Sequence, residues 1–335
     1  MRTNQLIPIL AFLIASPFAT GQDTTPKDPR WKQLSQAYGF VLGQQASLTL
    51  IEQKFEDLAP DVKQAWFAFN ASALGESVKG MEGELFTELG DKWPSMKEKM
   101  AKQMEEMVNG QQFTRDQAVA FLAEVTSRSK GRLPDSIRAA LLSAHPRFSK
   151  NPGLELIEGW KQTFRSKGHP KAKGADFSLS FPASWSKREG SRPNVIQVFQ
   201  SGAGHGAIVA TLMVKDIPLP AGYKSTEEEV KELFQPDALK EIVNGGEDLV
   251  DAKSIVLDGS PAGMVVSDQT KQRLDVTLKI RTTQFVTLQG SSMIFIQFMV
   301  AKMPDTTQSL DELQKLYVPT YKAIANTFIF NDKYK

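Results

Sequence analysis

The sequence predicts two domains: an all-α helical bundle followed by an α+β domain with a central antiparallel sheet. Three observations predict them. Apolar residues recur at spacings of three and four from Trp31 to Phe164, the period of a helix face. Residues 165–174 (RSKGHPKAKG) then carry no apolar side chain larger than alanine. Beyond them the period drops to two, beginning with Phe177, Leu179 and Phe181.

In the first half, Trp31, Leu34, Tyr38, Val41 and Leu48 mark one face of a helix that closes at Phe55, with Gln45 as the single polar residue on that face. Leu58-Ala59-Pro60 breaks it. Val62, Trp66, Phe69, Ala73, Met81, Leu85 and Leu89 mark a second long helix. Ser95 with Glu98 reads as a capping box opening a third, and Thr114 with Gln117 opens a fourth in the same way. Pro134 to Ser143 is a short helix. Asn151-Pro152 starts the last one, with Leu154, Ile157, Trp160 and Phe164 along one side.

In the second half, residues 207–214 (AIVATLMV) and 293–300 (MIFIQFMV) are nearly continuous apolar runs, as expected of strands covered on both faces. Leu274, Val276, Leu278 and Ile280 alternate with Asp275, Thr277, Lys279 and Arg281. Asp258-Gly259 and Gln289-Gly290 are hairpin turns. One helix is expected from the box Ser225–Glu228. Another is expected from Asp305, with Leu310, Leu313, Tyr317, Tyr321, Ile324 and Phe328 on one side and a kink or restart at Pro319. Runs of strands with few helices indicate α+β layering.

Residues 1–21 have the order of a cleavable signal peptide. A polar start with Arg2 is followed by an apolar core from Leu6 to Ala15, then small residues at Ala19 and Gly21. The core is about half the ~20 residues that span a bilayer. The expectation is therefore an exported, soluble protein with no membrane span after cleavage before Gln22. There is no cysteine, which removes lipid attachment at a cysteine, disulfides and thiolate chemistry. Residues 22–167 carry 20 Lys+Arg against 19 Asp+Glu, and residues 168–335 carry 19 of each. Neither half has the cationic surplus that follows a phosphate backbone, which argues against nucleic acid.

The pattern Phe177-x-Leu179-x-Phe181-Pro182-x-x-Trp185 resembles the opening of the PsbP-like fold. So do residues 258–263 (DGSPAG) before a strand, the Gln289-Gly290 hairpin, and the stretch from Tyr317 to Phe328 that ends in Phe328-Ile329-Phe330. That fold is shared by a photosystem II extrinsic subunit, Ran-binding Mog-type proteins and bacterial exported relatives. The resemblance covers residues 175–332 alone. It implies an α/β/α sandwich around the antiparallel sheet, in a domain that binds proteins or assists assembly. The expected organisation is a signal peptide (1–21), a helical domain (22–165), a linker (166–174) and a PsbP-like domain (175–332).

Residues 202–206 (GAGHG) lie between two strands, so they read as a glycine-rich turn and not as a phosphate loop, which needs a following helix. His145, His169 and His205 show no metal-ligand spacing. His205 stands on a turn where a partner could meet it. Ser201 beside His205 lacks the G-x-S-x-G setting of a hydrolase elbow. Met96, Met100, Met104 and Met107 form a helical stripe that suits a packed apolar face better than a copper ladder. The broadest flat polar surface is the strand face of Asp275, Thr277, Lys279 and Arg281, expected to face solvent and to dock a partner. No catalytic, cofactor-binding or metal-binding residue is assigned.

The function expected from these observations is a non-catalytic binding or assembly protein, whose partner is a protein or cell-envelope component. The alternative is an exported hydrolase with a dispersed site at the domain junction. The face from Trp31 to Phe55 is a possible dimer seam.

Overall fold

The computed structural model describes residues 29–218, 223, 225–243, 247–273, 276–302 and 308–335. The segment expected to be a signal peptide, residues 1–21, lies outside the described residues. The chain divides into two compact units, residues 1–149 and 150–335.

The described part of the first unit is helical: α1 (Pro29–Lys54), α2 (Ala59–Asn70), α3 (Ala73–Leu89), α4 (Trp93–Asn109), α5 (Arg115–Ser129) and α6 (Asp135–Ser143). Helix α1 packs on α4, α6 and α2. Trp31, Leu34, Tyr38, Val41 and Leu48 are all buried, so the face read as a dimer seam is corrected: it is spent within the chain. Gln45 is exposed, and its neighbour Gln44 is the buried one. Gln44 accepts a hydrogen bond from Arg128 Nη1 at 3.0 Å. The Arg128 guanidinium is buried between the rings of Phe40 and Phe121.

Two helix readings change here. The long second helix is two, α2 and α3, because the Ser72 side chain caps a new start by accepting from Gly75 N–H. Any side chain at Gly75 would meet the Phe69 carbonyl at 2.4 Å, which is how glycine permits the sharp turn. The third helix, α4, begins at Trp93 with Pro94 in its first turn, and no cap forms at Ser95. The Thr114–Gln117 box forms as expected.

The second unit opens differently from the sequence reading. The helix from Pro152 is the short α7 (Gly153–Ile157). Gly159 takes a left-handed φ of 86° and ends it. Residues Lys161–Arg165 are strand β1, paired antiparallel with β2 (Phe177–Pro182). The spacing of Trp160 and Phe164 fits a helix, but Thr163 and Phe164 are strand formers with a long-range partner available, and the pairing wins. The segment 166–174 is likewise no free linker. Ser166 Oγ donates to the Ala175 carbonyl at 2.7 Å and accepts from Phe177 N–H at 2.8 Å. Ala172 is buried, and Lys173 pairs with Asp216 at 2.9 Å. The division between units falls after Ser149.

Strands β3 (Ser186–Glu189), β4 (Val195–Gln200), β5 (Ile208–Asp216), β6 (Asp248–Leu257), β7 (Ser260–Arg273), β8 (Val276–Gln289) and β9 (Ser292–Lys302) form a seven-stranded sheet. Its order is β3-β4-β5-β9-β8-β7-β6, every described pair antiparallel. The two apolar runs, β5 and β9, lie side by side inside it. Asp258 (φ 47°) and Gly259 (φ 71°) make the β6–β7 turn, the left-handed pair a two-residue hairpin requires.

One face of the sheet packs Ile294, Ile296, Phe298 and Phe285 against Tyr321, Ile324 and Phe328 and against β2. Helix α10 (Leu310–Ala325) supplies Tyr321 and Ile324, and β2 forms a small sheet with β1 and β10 (Ile329–Phe330). The other face packs Val265, Val286 and Phe295 against Phe234 and Leu239 of the segment holding α8 (Glu227–Leu233) and α9 (Pro236–Leu239).

Helix α8 starts one residue later than expected, with the capping box on Thr226 and Glu229. Helix α10 is capped at Ser309, with Glu312 completing the box, and Pro319 lies inside one continuous helix. Asp305 lies outside the described residues.

Candidate docking site

The sequence favoured a strand face, and the structure places it at one end of the seven-stranded sheet. Strands β7 and β8 form a hairpin that outruns its neighbours. The β6–β7 pairing starts at Asp248–Asp268, and the β8–β9 pairing ends at Lys279–Lys302. Residues 269–273 and 276–278 therefore pair across the hairpin alone, among the described residues. Alternation along β8 places Thr277, Lys279 and Arg281 on one face of the sheet and Leu278 and Ile280 on the other.

Arg281 anchors the base of this arm. Its Nε and Nη2 donate to both oxygens of Asp268 at 2.7 and 2.8 Å, and Nη1 donates to Asp311 in the first turn of α10 at 2.5 Å. The Asp268 hydrogen bonds hold the guanidinium pKa above its ordinary value, against the opposing effect of burial. The solvent-facing reading of Arg281 is thus corrected: its side chain is 8% exposed. It shares a face with Thr277 and Lys279, but α10 covers that face from Arg281 inward.

Thr277 and Lys279 are exposed as expected. Asp275 lies outside the described residues. Lys279 stands directly opposite both Thr270 of β7 and Lys302 of β9, and Thr277 stands opposite Gln272. Paired residues point to one face, so Thr270, Gln272, Thr277, Lys279 and Lys302 form one polar patch. Lys302 and Thr270 were missed in the sequence because each sits on a different strand. The signal that could have found Lys302 was its place at the polar end of an apolar run.

His205 joins the same end of the sheet. It is exposed on the β4–β5 turn, and the register Ile208–Val300–Arg281 runs directly from that turn to the arm. Strands β5 and β8 are two strand spacings apart, roughly 10 Å. The nearby Ser201 hydroxyl is engaged with Ile208, accepting from its N–H at 3.1 Å. It is held by the turn and not aimed at His205.

Three other polar clusters occur among the described residues. Glu155 on α7 is buried, and burial pushes its carboxyl up to about 8. It accepts from Ser184 Oγ at 2.5 Å and Ser184 N–H at 2.9 Å, which fastens α7 to the turn after β2. A cleft of about 390 Å³ between residues 166–176 and the C-terminal turn is lined by Lys167, His169, Asp176, Asp332 and Lys335. There the Lys335 ammonium and the Asn331 amide hold the Asp176 carboxyl below its ordinary value. The donors and acceptors in this cleft largely satisfy one another.

In the first unit, His145 is buried, stacked on Phe148 and 3.2 Å from Glu76. In the methionine stripe, Met100 and Met104 are buried and Met107 is exposed. Met100 packs towards Gly39 of α1, the role of an adaptable apolar filler. Among the described residues no cluster of three His, Asp or Glu side chains could hold a metal ion. No described helix is long and apolar enough to cross a membrane.

The polar end of the sheet thus offers hydroxyls, an amide, two ammonium groups and an imidazole on paired strands and one turn. Such groups exchange hydrogen bonds and charge with a partner surface.

No protein-family model and no curated protein matches the chain. Solved structures match about half of it. Cyanobacterial PsbP from Synechocystis is 14% identical, with 51% of this chain and 92% of that one covered at a TM-score of 0.30. LpqN, described as involved in cell envelope biogenesis of Mycobacterium tuberculosis, is 17% identical, with 51% and 92% covered at 0.30. The Ran-binding protein Mog1p of Saccharomyces cerevisiae is 9% identical, with 52% and 97% covered at 0.31. These matches over half the chain are to PsbP-like folds, the fold that residues 175–332 resemble in sequence.

Proposed function

We propose that the chain is an exported, non-catalytic binding or assembly protein, and that its second unit docks a protein component of the cell envelope through the polar end of the seven-stranded sheet. The observation that carries this reading is the arm itself. Thr277 and Lys279 are held out in solvent on a strand whose base is fixed by the buried Arg281. Rigid support beneath exposed polar groups lowers the ordering cost of binding. The signal-peptide pattern supports export, and the PsbP-like resemblance supports protein binding. The two compact units are read as two domains, with the helical one folding on its own core.

A bulky substitution on the arm tests the reading. Tagged full-length protein carrying Thr277→Trp should keep its circular dichroism and lose the envelope partner that the unmodified chain retains. Val256→Trp, on the free edge of β6, should retain that partner. Equal retention by the two variants would remove the arm from the account.

A further inference from the structure

We infer that the partner segment received by this end of the sheet is an acidic peptide, a deepening that rests on the docking reading above. Residues 269–281 (QTKQRLDVTLKIR) carry four basic residues and one acidic one, in a chain whose net charge is only +2. One of the four, Arg281, is neutralised by Asp268 and Asp311. On the face that Arg281 shares, Lys279 and Lys302 are direct cross-strand neighbours.

Like charges placed opposite each other destabilise a sheet. Neither lysine forms an ion pair among the described residues, although acidic groups are close at hand on α10. Asp311 is drawn to Arg281, and Glu312 closes the cap by accepting from Ser309 N–H. The Glu312 charge also acts on Lys302, so Lys279 is the ammonium group that no described acidic group engages, and neither lysine is held in an ion pair. Thr270, Thr277 and Gln272 surround them with hydrogen-bonding groups that carry no charge, and His205 lies at the same end.

The number of charges chooses the class of partner. A lipid surface is recognised by clusters of about four to eight cations, and a nucleic acid by a comparable stripe along its backbone. Two lysines about 5 Å apart on one face, neither in an ion pair among the described residues, suit two carboxylates of an extended segment.

The test uses the full mature chain and four probes: a peptide of about twelve residues alternating Glu and Thr, its Gln-for-Glu counterpart, phosphatidylglycerol vesicles and single-stranded DNA. Titration by fluorescence anisotropy should show saturable binding of the acidic peptide at low salt, weakening as salt shortens the screening length. The Lys279→Glu/Lys302→Glu variant should bind it about tenfold more weakly, the size expected of two solvent-exposed charge pairs reversed. Lys161→Glu, an exposed lysine on β1, should bind as the unmodified chain does. The double variant should also keep or gain thermal stability, since it relieves a repulsion.

Equal binding of the Gln peptide, equal binding by the double variant, or binding confined to vesicles or DNA would overturn the inference. If Thr277→Trp abolishes capture of a partner whose contact segment is not acidic, the docking reading stands and this inference alone falls. If neither peptide nor partner responds to the arm, both fall.

Discussion

Glu155→Ala is expected to destabilise the second unit by about 3 kcal/mol, the largest effect of any single change considered. The carboxyl group is buried and accepts from both the N–H and the hydroxyl of Ser184. Truncation leaves the amide without its acceptor and a cavity at the contact between α7 and the turn after β2. An unsatisfied buried donor costs about 1–3 kcal/mol, and the cavity adds to it. Glu155→Gln keeps the shape and one acceptor oxygen, and should cost about 1 kcal/mol or less at pH 5.

The pH dependence separates the two variants from a merely steric account. Burial holds the Glu155 proton to about pH 8, whereas the unfolded chain releases it near 4.5. Between those values the folded state binds more protons than the unfolded state, so stability falls as pH rises. It is fully present below about 4.5 and is lost progressively up to about 8. The span corresponds to a ceiling on the order of 5 kcal/mol. Urea unfolding of the full chain at pH 5 and pH 8 should show this decline, and Glu155→Gln should remove it. An identical decline in the Gln variant would assign the effect to other groups.

Arg281→Met is expected to cost about 2 kcal/mol and to loosen the arm. Removing the guanidinium strands Asp268, which is only 29% exposed, and releases Asp311 from the base of the hairpin. The figure sits below that for a fully buried pair because solvent screens part of the loss. Arg281→Lys should recover only part of it, since a single ammonium cannot reproduce the two-point contact with Asp268. Asp311→Asn should cost no more than about 0.5 kcal/mol, because Asp311 is 85% exposed. Urea midpoints rank the three variants. A cost for Asp311→Asn equal to that of Arg281→Met would move the anchor from Asp268 to α10.

Much of the fold was legible in the sequence because it is written locally. The apolar runs at 207–214 and 293–300 became neighbouring central strands, and the turns at Asp258-Gly259 and Gln289-Gly290 formed where expected. Misreadings arose where two local patterns competed and distant contacts decided. Residues 225–229 (STEEE) offer two overlapping capping frames. The frame used is the one that packs Val230 and Leu233 on the cluster around Phe234. Trp160 and Phe164 fit a helical spacing, but strand β2 was the stronger partner.

The candidate site was half legible for the same reason. Thr277 and Lys279 could be placed on an exposed face from alternation alone. Arg281 follows the same alternation, and only Asp268, thirteen residues away, and Asp311, thirty residues away, reveal it as an anchor. Lys302 stands at the polar end of an apolar run and His205 on a glycine-rich turn, but their place at this end of the sheet follows only from strand register. Glu155 had one faint signal, a charge set between Leu154 and Leu156 in a short helix.

The central claim is that the polar end of the sheet is where this protein meets its partner. Hydrogen–deuterium exchange of the full chain, free and bound to the partner it retains, tests that claim most directly. The account predicts protection concentrated in residues 269–281, with smaller gains at 300–302 and 202–207 and little change along β6. Protection confined to the helical unit or to the β6 edge, with the arm exchanging as in the free protein, would contradict it.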